Sequence, residues 1–187
     1  VRTKRGRTRG EPRAGAERVA DGTGAGMRSG ETAAGTEPVQ AGKAMSDIAA
    51  YTEQAIHDRK RFAISDYEMH SVADAVCASA VKASYDLDCD AIVVATRSGK
   101  TAKLISGFRP TCPIIAVTRY PSTYHKMALT WGVQPILAAD QPEATHAAAT
   151  QATKIAKYFD LVHKGDTIVA VASTGVEEAN TLTIDRV

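Results

Sequence analysis

Six consecutive residues, Thr96-Arg97-Ser98-Gly99-Lys100-Thr101, bring together three hydroxyls, two fixed positive charges and a glycine. Such a set suits an anion. Hydroxyls and cations bind phosphate oxygens, and glycine lets backbone N–H groups come close. Ala91 to Ala95, just before, is a short apolar run with β-branched residues at its centre, as expected of a strand buried on both faces of a parallel sheet. Just after, Leu104, Ile105 and Phe108 give a helical segment its apolar face, and Ser98 is placed to cap it. The expected unit is strand, loop and helix, with the positive end of the helix facing an anion. A plain βα turn with its polar residues in water fits the same residues. The nucleotide P-loop does not: Gly99-Lys100-Thr101 matches its end, but the glycine it needs five residues before Gly99 is replaced by Val94, inside the strand.

The elements that must position this loop can be read in chain order. Residues 1 to 37 are rich in Gly, Arg, Thr and Glu and short of large apolar side chains, so alone they bury too little to offset the entropy of ordering. From Pro38, residues Ala41, Ala44, Met45, Ile48, Ala49, Thr52 and Ile56 fall on one stripe and predict a helix of about 18 residues. His57 to Ile64, with Asp58, Arg59, Lys60 and Arg61, reads as a solvated connection. Ser65 to Glu68 has capping-box spacing, and Met69, Val72, Ala73, Val76, Ala80 and Ala83 supply the stripe of a second long helix.

Strand and helix signals then alternate. Strands are expected at 91–95, 113–117, 134–138 and 167–172, with an edge strand at 181–187. Helices are expected at 100–108, 121–131 and 142–159, with Pro121 and Pro142 in first turns and Gly132 at a helix end. The pattern predicts an α/β fold, a three-layer sandwich around a mostly parallel five-stranded sheet whose last strand is antiparallel at the edge. Ligands of such sheets bind beyond the carboxyl ends of the strands. Those ends here carry Thr96 to Thr101, Thr118-Arg119 and Ser173-Thr174-Gly175.

Composition limits the functional classes. With 44% hydrophobic and 24% charged residues the chain can bury a core, and no apolar stretch reaches the roughly 18 residues of a membrane span. Cys77, Cys89 and Cys112 lack metal-type spacing and read as reduced, partly buried thiols of a cytoplasmic protein. The histidines are scattered, so no metal site is expected. Residues 1 to 18 carry seven Lys/Arg against Glu11 and Glu17, a balance of +5 in a chain of net charge +2. No aromatic residues interleave with these charges, which argues against nucleic-acid binding and for a solvated arm.

Four strings in order, Thr-Arg-Ser-Gly-Lys-Thr101, Phe108-Arg-Pro, Pro113-Ile-Ile-Ala-Val-Thr-Arg119 and Gly132-Val-Gln-Pro-Ile-Leu137, resemble the C-terminal domain of pyruvate kinase. Upstream, Asp21 to Gly35 followed by Pro38-Val39 is similar to the last strand and helix of that enzyme's catalytic barrel, and Arg7-Thr8-Arg9 with Glu11 to its preceding loop. The resemblance implies three parts: residues 1–37 as a (β/α)8 barrel remnant, partly disordered and carrying Arg28 where the family has an apolar residue; 38–64 as helix and linker; 65–187 as the C-terminal α/β domain. It implies phosphoryl transfer between phosphoenolpyruvate and ADP with Mg2+ and K+, whose ligands lie outside this chain. Thr8 is the one match to a substrate-contacting position, so this chain alone is expected to be inactive.

The resemblance also implies an allosteric role. The family's loop at Thr96 to Thr101 holds a phosphate of a sugar-phosphate effector, and its C-terminal domains pair in a homotetramer. Recognition of fructose bisphosphate adds a tryptophan, where this chain has Thr145, and a glycine-rich loop, where it has Ser173 to Asn180. Glu177 and Glu178 there would repel a second phosphate, which leaves a one-phosphate effector as the expectation. The alternative is a stand-alone small-molecule-binding α/β module without catalytic activity.

Overall fold

The computed structural model describes residues 10–27, 29–65, 67–140, 147–173 and 179–187. They divide into a unit ending at His57 and a unit starting at Asp58. Thr8, Arg28, Thr145, Thr174, Gly175, Glu177 and Glu178 lie outside the described residues.

The described part of the first unit is helical. It contains α1 (Gly10–Ala20), α2 (Gly30–Ala33) and α3 (Pro38–Ala55). In α3, Pro38 occupies a first-turn position where its missing N–H costs nothing. The predicted stripe from Ala41 to Ile56 is the half-buried face of this segment. Helix α1 was read as a solvated arm, and two features explain why it forms. Alanines favour the helix, and Arg13 Nε donates to Glu17 Oε1 one turn on, at 2.8 Å. Gly15, buried, faces α3: a Cβ there would stand 3.7 Å from Ile48 and 3.8 Å from Met45. Residues 21–27, similar in sequence to a barrel strand, form turns and bends without a strand.

The second unit is built on a five-stranded sheet in the order β3-β2-β1-β4-β5. Its strands are β1 (Ala91–Ala95), β2 (Ile114–Thr118), β3 (Val133–Leu137), β4 (Thr167–Ala172) and β5 (Thr181–Arg186). β1 pairs in parallel with β2 and β4, and β2 with β3, whereas β5 runs antiparallel to β4 at the edge, as expected. Pro135 has no N–H to give, and it sits in β3, the other edge strand, where one side of the ladder is open.

The sheet is covered on both faces by helices: α4 (Asp58–Ile64) comes first in this unit and packs through Phe62 against Tyr85 and Phe108, and α5 (Val72–Asp86), α6 (Lys100–Gly107), α7 (Pro121–Met127) and α8 (Ala147–Tyr158) lie on the strands. Side chains alternate along each strand. Ile92, Val94, Ile114, Val169 and Val171 pack with α5 and α6 on one face, while Ala91, Val93, Ile115, Val117 and Ile168 pack with α8 on the other. Ala116 joins Ala102 of α6 and Met127 of α7, putting α7 on the α5–α6 side. Asp90 pins the start of β1 to β4, its amide donating to the Thr167 carbonyl and its Oδ2 accepting from the Thr167 amide, both at 2.8 Å.

Between residues 57 and 72 the structure departs from the expectation. The connection is helix α4, and the second long helix begins at Val72 rather than behind Ser65. Ser71 Oγ accepts from the Asp74 amide at 3.1 Å, and Asp74 Oδ2 accepts from the His70 amide at 3.2 Å, so the capping residues are Ser71 and Asp74. Ser65 instead closes α4, its Oγ donating to the Arg61 carbonyl at 2.8 Å. The cause is aromatic packing. Tyr67 lies 4.9 Å from Phe108 and 5.5 Å from Phe62, ring centre to ring centre, and Phe62 lies 5.6 Å from Tyr85. Burying these rings together outweighs the local helix signal at Ser65. The buried face of α5 is then Ala73, Cys77, Ala80, Val81, Ser84 and Tyr85, leaving Val72 exposed.

At α6 the cap also differs. Ser98 was placed to cap this helix, but Gly99 is the N-cap residue, at φ +82°, and no side-chain cap bond forms. Ser98 Oγ stands only as a long acceptor, 3.4 Å from the Lys100 amide. A Cβ on Gly99 would lie 3.1 Å from Met127 Cγ, so glycine is required here by both conformation and packing.

Two outcomes in urea denaturation check these assignments. Ser71→Ala is expected to cost about 1 kcal/mol and Ser65→Ala only a few tenths; equal losses would contradict the start of α5. Gly99→Ala is expected to cost about 1–3 kcal/mol from the left-handed strain and the Met127 contact together.

Candidate functional site

From β1 the chain moves outward through β2 to β3, then returns to lay β4 on the opposite side of β1. The strand order therefore reverses between β1 and β4. In parallel sheets a crevice opens at this point, beyond the carboxyl ends of the strands. The loop Thr96–Gly99 leaves β1 here and leads into α6. Two residues past the register pair Val94–Val171 stand Thr96 and Ser173, and one residue past Ala95–Val117 stand Thr96 and Thr118. Three hydroxyl residues thus end three neighbouring strands.

The loop is held by a small set of bonds. Thr96 Oγ1 accepts from the Gly99 amide at 3.1 Å, and the Thr96 amide donates to the Val117 carbonyl at 3.0 Å. Thr123 Oγ1, on α7, donates to the Arg97 carbonyl at 2.8 Å. Thr118 Oγ1 accepts from the Tyr120 amide at 3.3 Å, shaping the neighbouring strand end. Helix α6 starts directly after Gly99, so its positive end lies at the carboxyl end of β1.

Charge is available at the rim. Arg97, Ser98 and Lys100 are exposed, and Thr96 and Thr101 are half-buried. The Arg97 guanidinium lies over the Tyr120 ring, 5.8 Å from its centroid, which places one cation across the loop toward β2. The structure thus brings Thr96 to Thr101 together with Ser173 at adjacent strand ends. Thr8, Thr174 and Gly175 are outside the described residues. The contributions of Tyr120, Thr123 and Met127 were not read from sequence; their one signal was the four-residue spacing of Thr123 and Met127, which puts both on one face of α7.

The three cysteines are poor nucleophiles. Burial, with a smaller contribution from Asp74, pushes the Cys77 thiol up to about 12, and burial also raises those of Cys89 and Cys112. All three are free and stay protonated at neutral pH, hence poorly reactive. Among the described residues no group of three or more His, Cys, Asp or Glu side chains is assembled to hold a metal ion. None of their helices is long and apolar enough to cross a membrane.

Comparison with known proteins gives these features a family. The family described as pyruvate kinase, alpha/beta domain, matches residues 74–185. A pyruvate kinase of Geobacillus stearothermophilus is 38% identical over 186 residues, covering 96% of this chain and 31% of the relative. One from Lactobacillus delbrueckii subsp. bulgaricus is 36% identical over 177 residues, covering 93% and 30%. The crystal structure of a pyruvate kinase from Cryptosporidium parvum superposes with a TM-score of 0.81 at 32% identity, covering 96% of this chain and 36% of that one. This chain therefore spans roughly a third of the length of the relatives it matches, and its sheet, its loop and its sequence agree on one conclusion: it belongs to the pyruvate kinase family, of which it carries the C-terminal α/β domain.

Proposed function

We propose that this chain serves a pyruvate kinase, the enzyme that moves a phosphoryl group between phosphoenolpyruvate and ADP, as its regulatory part, binding a phosphorylated small molecule at Thr96 to Thr101. One observation carries the reading: the loop stands where the strand order reverses, at the positive end of α6. Backbone amides, the hydroxyls of Thr96, Ser98 and Thr101, and the charges of Arg97 and Lys100 would each donate to phosphate oxygens. Hydrogen bonds to an ionised acceptor are the stronger kind. Ser173 extends the site toward β4, with Thr174 and Gly175 as further candidates.

The phosphoryl transfer itself is assigned to the whole enzyme. Its Mg2+ and K+ would neutralise charge on the transferred group; among the described residues no group of three or more His, Cys, Asp or Glu side chains is assembled to hold a metal ion. A cytoplasmic location and a homo-oligomer belong to the same reading. For subunit contacts, the edge strand β5 with exposed Ile184 and the end of α7 with exposed Leu129 are the favoured surfaces. Nucleic acid and membrane are not proposed partners.

Calorimetric titration tests the effector site. Ser98→Asp places a negative charge at the positive end of α6 and is expected to weaken a sugar monophosphate at least tenfold; equal affinities in variant and parent would sink the reading. Sedimentation velocity tests the contacts. Ile184→Lys is expected to shift the chain to a smaller species, and an unchanged profile would remove β5 from the interface.

A further inference from the structure

The loop after β1 is held from outside as well as from within. Two short-range bonds lie within it, from the Gly99 amide to Thr96 Oγ1 and from the Lys100 amide to Ser98 Oγ, the second of them long. What fixes its middle is α7. Thr123, 6% exposed, reaches back across 26 residues to donate its hydroxyl to the Arg97 carbonyl at 2.8 Å. One turn further, Met127, 2% exposed, fills the space under Gly99.

A peptide group is planar, and in the trans form its C=O and N–H point in opposite directions. No cis peptide is present in the described chain. Binding the Arg97 carbonyl to α7 therefore turns the Ser98 N–H the other way, away from α7. It also removes from the loop surface a carbonyl oxygen that would repel a phosphate. Resting on the reading of this loop as a phosphate site, we propose that Thr123, seated by Met127, is a positioning residue that sets the Arg97–Ser98 peptide so that the Ser98 amide donates to the bound phosphate.

Thr123→Val keeps the side-chain shape and removes only the donor, leaving the Arg97 carbonyl without its partner and the peptide able to rotate. Thr123→Ser keeps the donor. Inorganic phosphate is titrated into the full chain at a temperature where every variant is folded by circular dichroism, with the loop amides followed by nitrogen-edited NMR. The expected result is a dissociation constant about tenfold higher for Thr123→Val, with loss of the phosphate-induced shift of the Ser98 amide, and near-parental values for Thr123→Ser. Ser71→Ala, destabilised at a distant helix cap, is expected to bind as the parent does, so lowered stability alone does not reproduce the effect.

Parental affinity and an unchanged Ser98 shift in Thr123→Val would overturn the positioning role while leaving the phosphate site intact. A loss in Thr123→Val that Thr123→Ser fails to restore would also overturn it. If the parent chain shows no phosphate-dependent shift of any loop amide, the phosphate site falls and the positioning role with it.

Discussion

Burial of β1 on both faces is the constraint on which the rest of the second unit depends. Ala91 to Val94 are shielded by α5 and α6 on one side and α8 on the other, and their backbone groups are taken up by β2 and β4. A strand with no exposed face and no open edge has one register in which its side chains all fit, since a slip by one residue exchanges the faces. That fixes where the strand must end. The residues that follow, Thr96 onward, emerge at the crevice with hydroxyls and charges, at the one place in the sheet where the chain order reverses.

The loop shape comes from a compromise between local and distant demands. Gly99 adopts the left-handed conformation that starts α6, and α7 closes against it through Met127 and Thr123. α7 is anchored further along: Ser106 of α6 donates its hydroxyl to the Trp131 carbonyl at 2.6 Å, and the Arg109 guanidinium lies 4.2 Å from the Trp131 ring centroid. The segments on both sides of the loop are thus tied to each other at two levels. Contacts of this kind, in place before any ligand arrives, would lower the entropic cost of binding at the proposed site.

Much of this was legible in the sequence because the signals were local and repeated. The strands at 91–95 and 167–172 were read with their observed bounds, since short β-branched runs bounded by polar turns have few other uses. The stripe from Ala41 to Ile56 predicted both a helix and its half-buried face. The errors arose where a local signal was ambiguous and a distant partner decided. Ser65 and Ser71 both precede an acidic residue at capping distance, and only the packing of Tyr67 against Phe62 and edge-on to Phe108 selects the second.

By itself the sequence determined the family, the α/β class with its antiparallel edge, and a loop of hydroxyl and basic residues directly after β1. The class and the loop composition follow from periodicity, turn chemistry and residue type, and the family from the resemblance of short strings, all of them properties of neighbouring positions. The tertiary structure decided the strand order that opens the crevice beside β1, the replacement of Ser98 by Gly99 at the helix start, and the hold of Thr123 on the Arg97 carbonyl. Each of these joins residues far apart in the chain, and such joints are set by packing of whole elements rather than by any local pattern.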